Sequence, residues 1–97
     1  MNATSTTPLL IDKDQVKDLR FPSVEILTCP EQIARRTSEL SRALTLGNVH
    51  HNKVKIIFSD LENIKMIETT IWAVTELRII LKSGMVIPIN RIMEIIS

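Results

Sequence analysis

The stretch Met66-Ile-Glu-Thr-Thr-Ile-Trp-Ala-Val74, followed through Ser83-Gly84 to Val86-Ile-Pro-Ile-Asn-Arg-Ile92, decides the fold class. Isoleucine, valine and threonine crowd it, and such β-branched side chains suit a pleated, half-buried surface. Residues 66–74 read as one long strand, bent because both of its faces are mixed. Residues 78–82 read as a strand and Ser83-Gly84 as a tight hairpin turn. Residues 85–87 then pair back, Pro88 ends that strand, and residues 92–96 make a last short one.

Upstream of this run the period changes. Val54, Ile56 and Phe58 alternate with Lys53, Lys55 and Ile57, which is the two-residue period of a strand. Before it, Ile33, Thr37, Leu40 and Leu44 fall within a narrow arc of a helical wheel. Thr28-Cys-Pro-Glu31 has the spacing of a capping box, with Pro30 in the first turn, where its missing N–H costs little. Gly47-Asn48 offers a left-handed stop. Arg35 and Arg42 lie on the opposite face, with Glu39 in ion-pair reach of both.

The expected fold is therefore mainly β with one helix (α+β): a small five-stranded antiparallel barrel preceded by an amphipathic helix. At 97 residues the chain is one domain with a modest core. Residues 1–29 are expected to form an extended, partly disordered N-terminal arm, with 23–28 able to make a short edge strand, and residues 30–97 the helix plus barrel.

Both faces of the strands carry large aliphatics. Ile56 and Phe58 need a core while Ile57 points the other way, and Ile80 does not share the face of Ile79 and Leu81. An antiparallel sheet with one wet face alternates more cleanly. One helix with a single apolar stripe cannot cover the excess, so a homo-oligomer is expected, with Ile57, Trp72, Ile80 and Val86 as interface residues. Trp72 shares a strand face with Met66, Glu68, Thr70 and Val74. Two readings of it stay open: core packing, or an interface anchor if that face looks outward.

The formal charge is only +1, so the chain as a whole is no electrostatic footprint for nucleic acid. Residues 31–55 are the exception, with Arg35, Arg36, Arg42, Lys53 and Lys55 against Glu31 and Glu39. These five cations are the nucleic-acid candidates, although no aromatics for base stacking sit near them. Chemistry is harder to find. Cys29 is the only cysteine, which excludes an intrachain disulfide and fits a reducing, cytoplasmic location. A base for it would have to be His50 or His51, beyond the far end of the helix. Adjacent histidines in a strand point to opposite faces and do not readily share a metal. Thr69 and Thr70 read as strand formers. No catalytic, cofactor or metal site is therefore assigned, and no segment approaches the apolar length of a membrane span.

A helix followed by five strands resembles the Sm-like and Src-homology-3-like small barrels, over residues 31–96. Gly84-Met-Val-Ile-Pro88-Ile-Asn90-Arg-Ile92 is similar to the strand, 3₁₀ turn and final strand that close a Src-homology-3 barrel, with three residues between Gly84 and Pro88 where that family has two. The chain has no tyrosine, so proline-rich peptide recognition is not carried over. The Sm-like resemblance implies rings joined by strand pairing with RNA at the ring's face or pore. This chain lacks that family's glycine-centred first motif and the basic signature of its second. The strand texture also resembles small bacterial proteins without an assigned function. The leading expectation is a non-enzymatic, self-associating barrel that serves protein interaction or assembly. The alternative is an oligomeric RNA- or DNA-binding barrel using the basic face of residues 31–55.

Overall fold

A computed structural model describes residues 8–12, 15–16, 19–45, 47, 52–82 and 84–96. Within them the chain is α+β, with one α-helix and seven strands in two sheets. The strands are β1 (Leu9–Leu10), β2 (Val54–Ser59), β3 (Ile64–Thr69), β4 (Ile71–Val74), β5 (Arg78–Leu81), β6 (Val86–Pro88) and β7 (Ile92–Ile96). The helix α1 spans Pro30–Thr45, and a 3₁₀ turn at Ile89–Arg91 joins β6 to β7. One sheet runs β1-β3-β2-β7 and the other β4-β5-β6.

The expected bend in residues 66–74 is the joint between the sheets. β3 ends at Thr69 and β4 begins at Ile71, so Thr70 is the corner. Its carbonyl accepts the Lys82 N–H at 2.9 Å, and its hydroxyl donates to the Asn52 carbonyl at 3.3 Å. Two backbone carbonyls at the bend, of Thr70 and Asn52, are thereby satisfied. The five-strand expectation differs from the seven strands seen because the long strand splits here and because Leu9–Leu10 adds to β3. That last pairing is parallel, Leu9 opposite Lys65 and Leu10 opposite Met66.

Alternation sends one set of side chains inward. Ile56 and Phe58 of β2, Ile67 of β3, Ile71 of β4, Ile79 and Leu81 of β5, Ile87 of β6 and Ile92 of β7 are all 0% exposed. Each such side chain contributes about 1.5–3 kcal/mol of burial free energy. Leu40 and Ala43 of α1 complete this core from the helix side, against β4 and β7. At the start of α1 the Cys29 carbonyl accepts from the N–H groups of Gln32 and Ile33, at 3.0 and 3.1 Å.

Residues 19–29 make no strand. They pack instead over one end of the sheets: Leu27 is buried, and Phe21 stacks at a tilt on Phe58 with ring centres 5.8 Å apart. Their backbone is tied by the Ile26 N–H to the Asn90 carbonyl (2.8 Å) and by Arg91, which donates to the carbonyls of Val24 and Ser59 at 2.7 and 3.0 Å. Residues 1–7 of the expected arm lie outside the described residues.

Gly47 corrects a sequence expectation. Among the described glycines only Gly84 has a positive φ, 89°. Gly47 is not a left-handed stop but a close approach, because a Cβ there would run into the Ile71 carbonyl oxygen, while Asn48, the other half of that expected stop, lies outside the described residues. The two glycines should therefore respond differently to alanine. Gly47→Ala is expected to destabilise by about 1–3 kcal/mol through backbone displacement. Gly84→Ala, in open space, should cost about 1 kcal/mol of left-handed strain. Urea unfolding midpoints of the two variants check the order.

Candidate functional site

Strand register collects the outward side chains of the smaller sheet into one row. Ala73 of β4 lies opposite Ile80 of β5, and Ile80 lies opposite Val86 of β6. The pairing shifts between Ile71 and Ala73, so two residues oppose one and Trp72 is re-aimed. Trp72 is 52% exposed and Val86 41% exposed. Of the two readings of Trp72, the outward one is the one found. Three of the four candidate interface residues, Trp72, Ile80 and Val86, thus belong to one face. Ile57 does not. It sits on the outer side of the larger sheet, between Met66 of β3 and Glu94 of β7, and is half-buried.

Beside β6 this face drops into a groove of about 750 Å³. One wall is formed by Val16, Leu19 and Phe21; the other is Leu77, Met85 and Ile89 from the hairpin and the 3₁₀ turn. Leu77 is 71% exposed, the highest value among the large apolar side chains of the described residues. The groove was not legible from sequence, because its walls come from segments some sixty residues apart that the Arg91 and Asn90 hydrogen bonds bring together. Asn90 Nδ2 donates to the Ser23 carbonyl at 2.6 Å.

At the groove's inner end sits an ion pair. Arg36 Nη2 donates to Glu25 Oε1 at 2.6 Å, and Nη1 donates to Glu25 Oε2 at 2.8 Å and to the Ile92 carbonyl at 3.0 Å. Arg36 is almost fully buried, and its Nε has no partner. A sequence signal for this existed: Arg36 stands three residues after Ile33 and four before Leu40, within the helix's apolar arc. The Arg36 guanidinium holds the Glu25 carboxyl below its ordinary value, over the opposing effect of burial, with help from the Leu27 N–H. This carboxylate is held in its ionised form by three donors, so it is poorly suited to act as a base.

One of the five nucleic-acid candidates is removed from the surface. Arg35 and Arg42 are exposed on α1, and Lys53 and Lys55 are exposed at the start of β2, while Arg36 is turned inward to Glu25. Glu39 does not pair with either helical arginine; its Oε1 accepts the Ile95 N–H at 3.2 Å. His50 and His51 lie outside the described residues. Among the described residues no group of three or more His, Cys, Asp or Glu could hold a metal ion, and no helix is long and apolar enough to cross a membrane.

A second buried pair joins Lys65 to Asp60 at the β2–β3 turn. Burial opposes ionisation of Asp60, but the N–H groups of Asn63 and Glu62 and the Lys65 ammonium outweigh it and lower its pKa. Asp60 Oδ1 accepts those two N–H groups at 2.7 and 2.8 Å, which makes the pair a turn-forming device away from the groove.

Comparison with known proteins yields no match to this chain, whether to a protein-family model, a curated protein or a solved structure.

Both carboxyls have folded-state pKa values below their ordinary ones, 4.5 for Glu25 and 3.8 for Asp60. Their stabilisation is therefore complete above those values and disappears as pH falls through the lower, folded ones. Glu25→Gln is expected to lower stability at about pH 7 and to narrow its loss on going to about pH 3. Denaturant midpoints at the two pH values measure this.

Proposed function

We propose that this chain is a non-enzymatic interaction module that self-associates, with the outer face of β4-β5-β6 and the adjoining groove as its working surface. In the finer reading it is a small Sm-like or Src-homology-3-like barrel, whose closing segment is β6, the 3₁₀ turn and β7. The observation that carries the proposal is the row of outward apolar side chains Trp72, half-buried Ile80 and Val86, with exposed Leu77 lining the groove beside Val86. Outward apolar surface of this kind, rimmed by charge, marks a contact site more often than it marks a monomer's free surface.

The same groove gives a reason to place the activity in binding. Its ionisable groups are Glu25, Arg36, Glu76 and Arg78, and the first two are committed to each other. No nucleophile–base pair converges on it among the described residues. Two cations on α1 and two on β2 remain for a nucleic-acid role, against the five that the sequence offers.

Light scattering at micromolar concentration tests the reading. The expected mass is a multiple of 11.0 kDa, and a monomer would end it. Single-stranded RNA is expected to bind negligibly even at low salt. Salt-sensitive binding lost on Arg35→Ala and Arg42→Ala would instead favour the nucleic-acid reading.

A further inference from the structure

We propose that β6 is the contact strand of a two-fold symmetric homodimer, in which Val86 pairs antiparallel with Val86 of the partner subunit. The proposal rests on the self-association reading above and adds the edge, the register and the symmetry.

The other sheet edges are partly capped, obstructed at one end, or short. β7 is the outer strand of its sheet, but two of its outward backbone groups are taken: Arg36 donates to the Ile92 carbonyl and Glu39 accepts the Ile95 N–H. Two side chains one helical turn apart thus cap that edge. A ring built by adding a neighbour's strand to β7 would have to displace both. At the start of β4, Gly47 packs on the Ile71 carbonyl. β1 is two residues long, and very short edges are poor templates for strand addition.

β6 is different. The Leu81 N–H donates to the Met85 carbonyl and the Ile89 N–H to the Leu77 carbonyl, with Ile79 opposite Ile87 between them. Hydrogen bonding in an antiparallel ladder alternates, so the odd-numbered residues face β5 and the N–H and C=O of Val86 point away from it. Pro88 has no N–H to offer. Val86 is thus the one residue of β6 that can both donate and accept outward. The arrangement is self-complementary when a dyad passes through the Val86 pair.

That dyad also fits the surfaces. A two-fold axis normal to the sheet keeps both outer faces on the same side. The row of Ala73, Ile80 and Val86 then continues into the same row of the second copy. Antiparallel pairing also carries the partner's hairpin tip past Pro88 towards the groove. Lys82 is exposed near that tip, and Glu76 in the groove wall has no ion-pair partner among the described residues. The charges brought together are of opposite sign, which favours a second copy as the occupant.

The test uses the full chain and measures its mass by sedimentation. The wild type is expected to dimerise. Val86→Pro, which removes an N–H the monomer's own sheet does not use, is expected to weaken the dimer about tenfold or more with unchanged circular dichroism. Paired residues in such a register have Cα atoms about 5.5 Å apart, within disulfide reach. Val86→Cys in a Cys29→Ser background should therefore cross-link on mild oxidation, whereas Ile96→Cys in the same background should not. A monomeric wild type overturns both this proposal and the self-association reading. A wild-type dimer that survives Val86→Pro and does not cross-link through position 86 overturns the β6 edge and leaves self-association standing. If Val86→Pro does not fold, the cysteine variants decide alone: cross-linking through position 86 supports the proposal and its absence overturns it.

Discussion

The Arg36 guanidinium joins three parts of the molecule that nothing local would hold together. It stands on α1, grips the Glu25 carboxylate of the preceding segment with two hydrogen bonds, and caps the Ile92 carbonyl at the start of β7. Bidentate arginine–carboxylate geometry fixes orientation as well as distance. The helix is therefore set against β7 in one rotation, with Leu40 and Ala43 inward and Glu39 beside the Ile95 N–H. Burying an arginine is costly unless its partners are in place. Here they are supplied by chain segments that must already be docked, so the pair acts as a check on tertiary assembly more than as a source of stability.

Arg91 does the matching job one residue earlier in the same segment. By donating to Val24 and to both the carbonyl and hydroxyl of Ser59, it ties the stretch before the helix to β2. The two arginines together hold residues 19–27 as a wall beside the hairpin, and the groove exists because that wall is fixed. The same helix that positions the wall caps the β7 edge. The side-chain caps on β7 do not extend to β6.

The α+β class, the helix over residues 30–45, the bend in residues 66–74 and the antiparallel pairing of β5 with β6 were legible in the sequence, because each rests on local periodicity or turn chemistry. The inward set of Ile56, Phe58, Ile79 and Leu81 was legible for the same reason. The split of the long strand into two sheets was not, since the position of the corner depends on Thr70 finding Lys82 and Asn52 across space. The left-handed reading of Gly47 was wrong because a glycine can serve close approach as readily as positive φ. Arg36 was counted as a surface cation although its place in the apolar arc pointed inward.

For the candidate site, the sequence put forward Ile57, Trp72, Ile80 and Val86 as beyond what one small core takes in, with Trp72 open between core and interface. It did so through composition and alternation, which need no knowledge of the rest of the fold. Which of those residues share a face, and that Ile57 is not one of them, was decided by cross-strand register and by the shift beside Trp72. The groove and the open β6 edge were decided later still, by hydrogen bonds between residues that are distant in the chain. Such bonds depend on where two segments meet in space, and a linear pattern carries no record of that meeting.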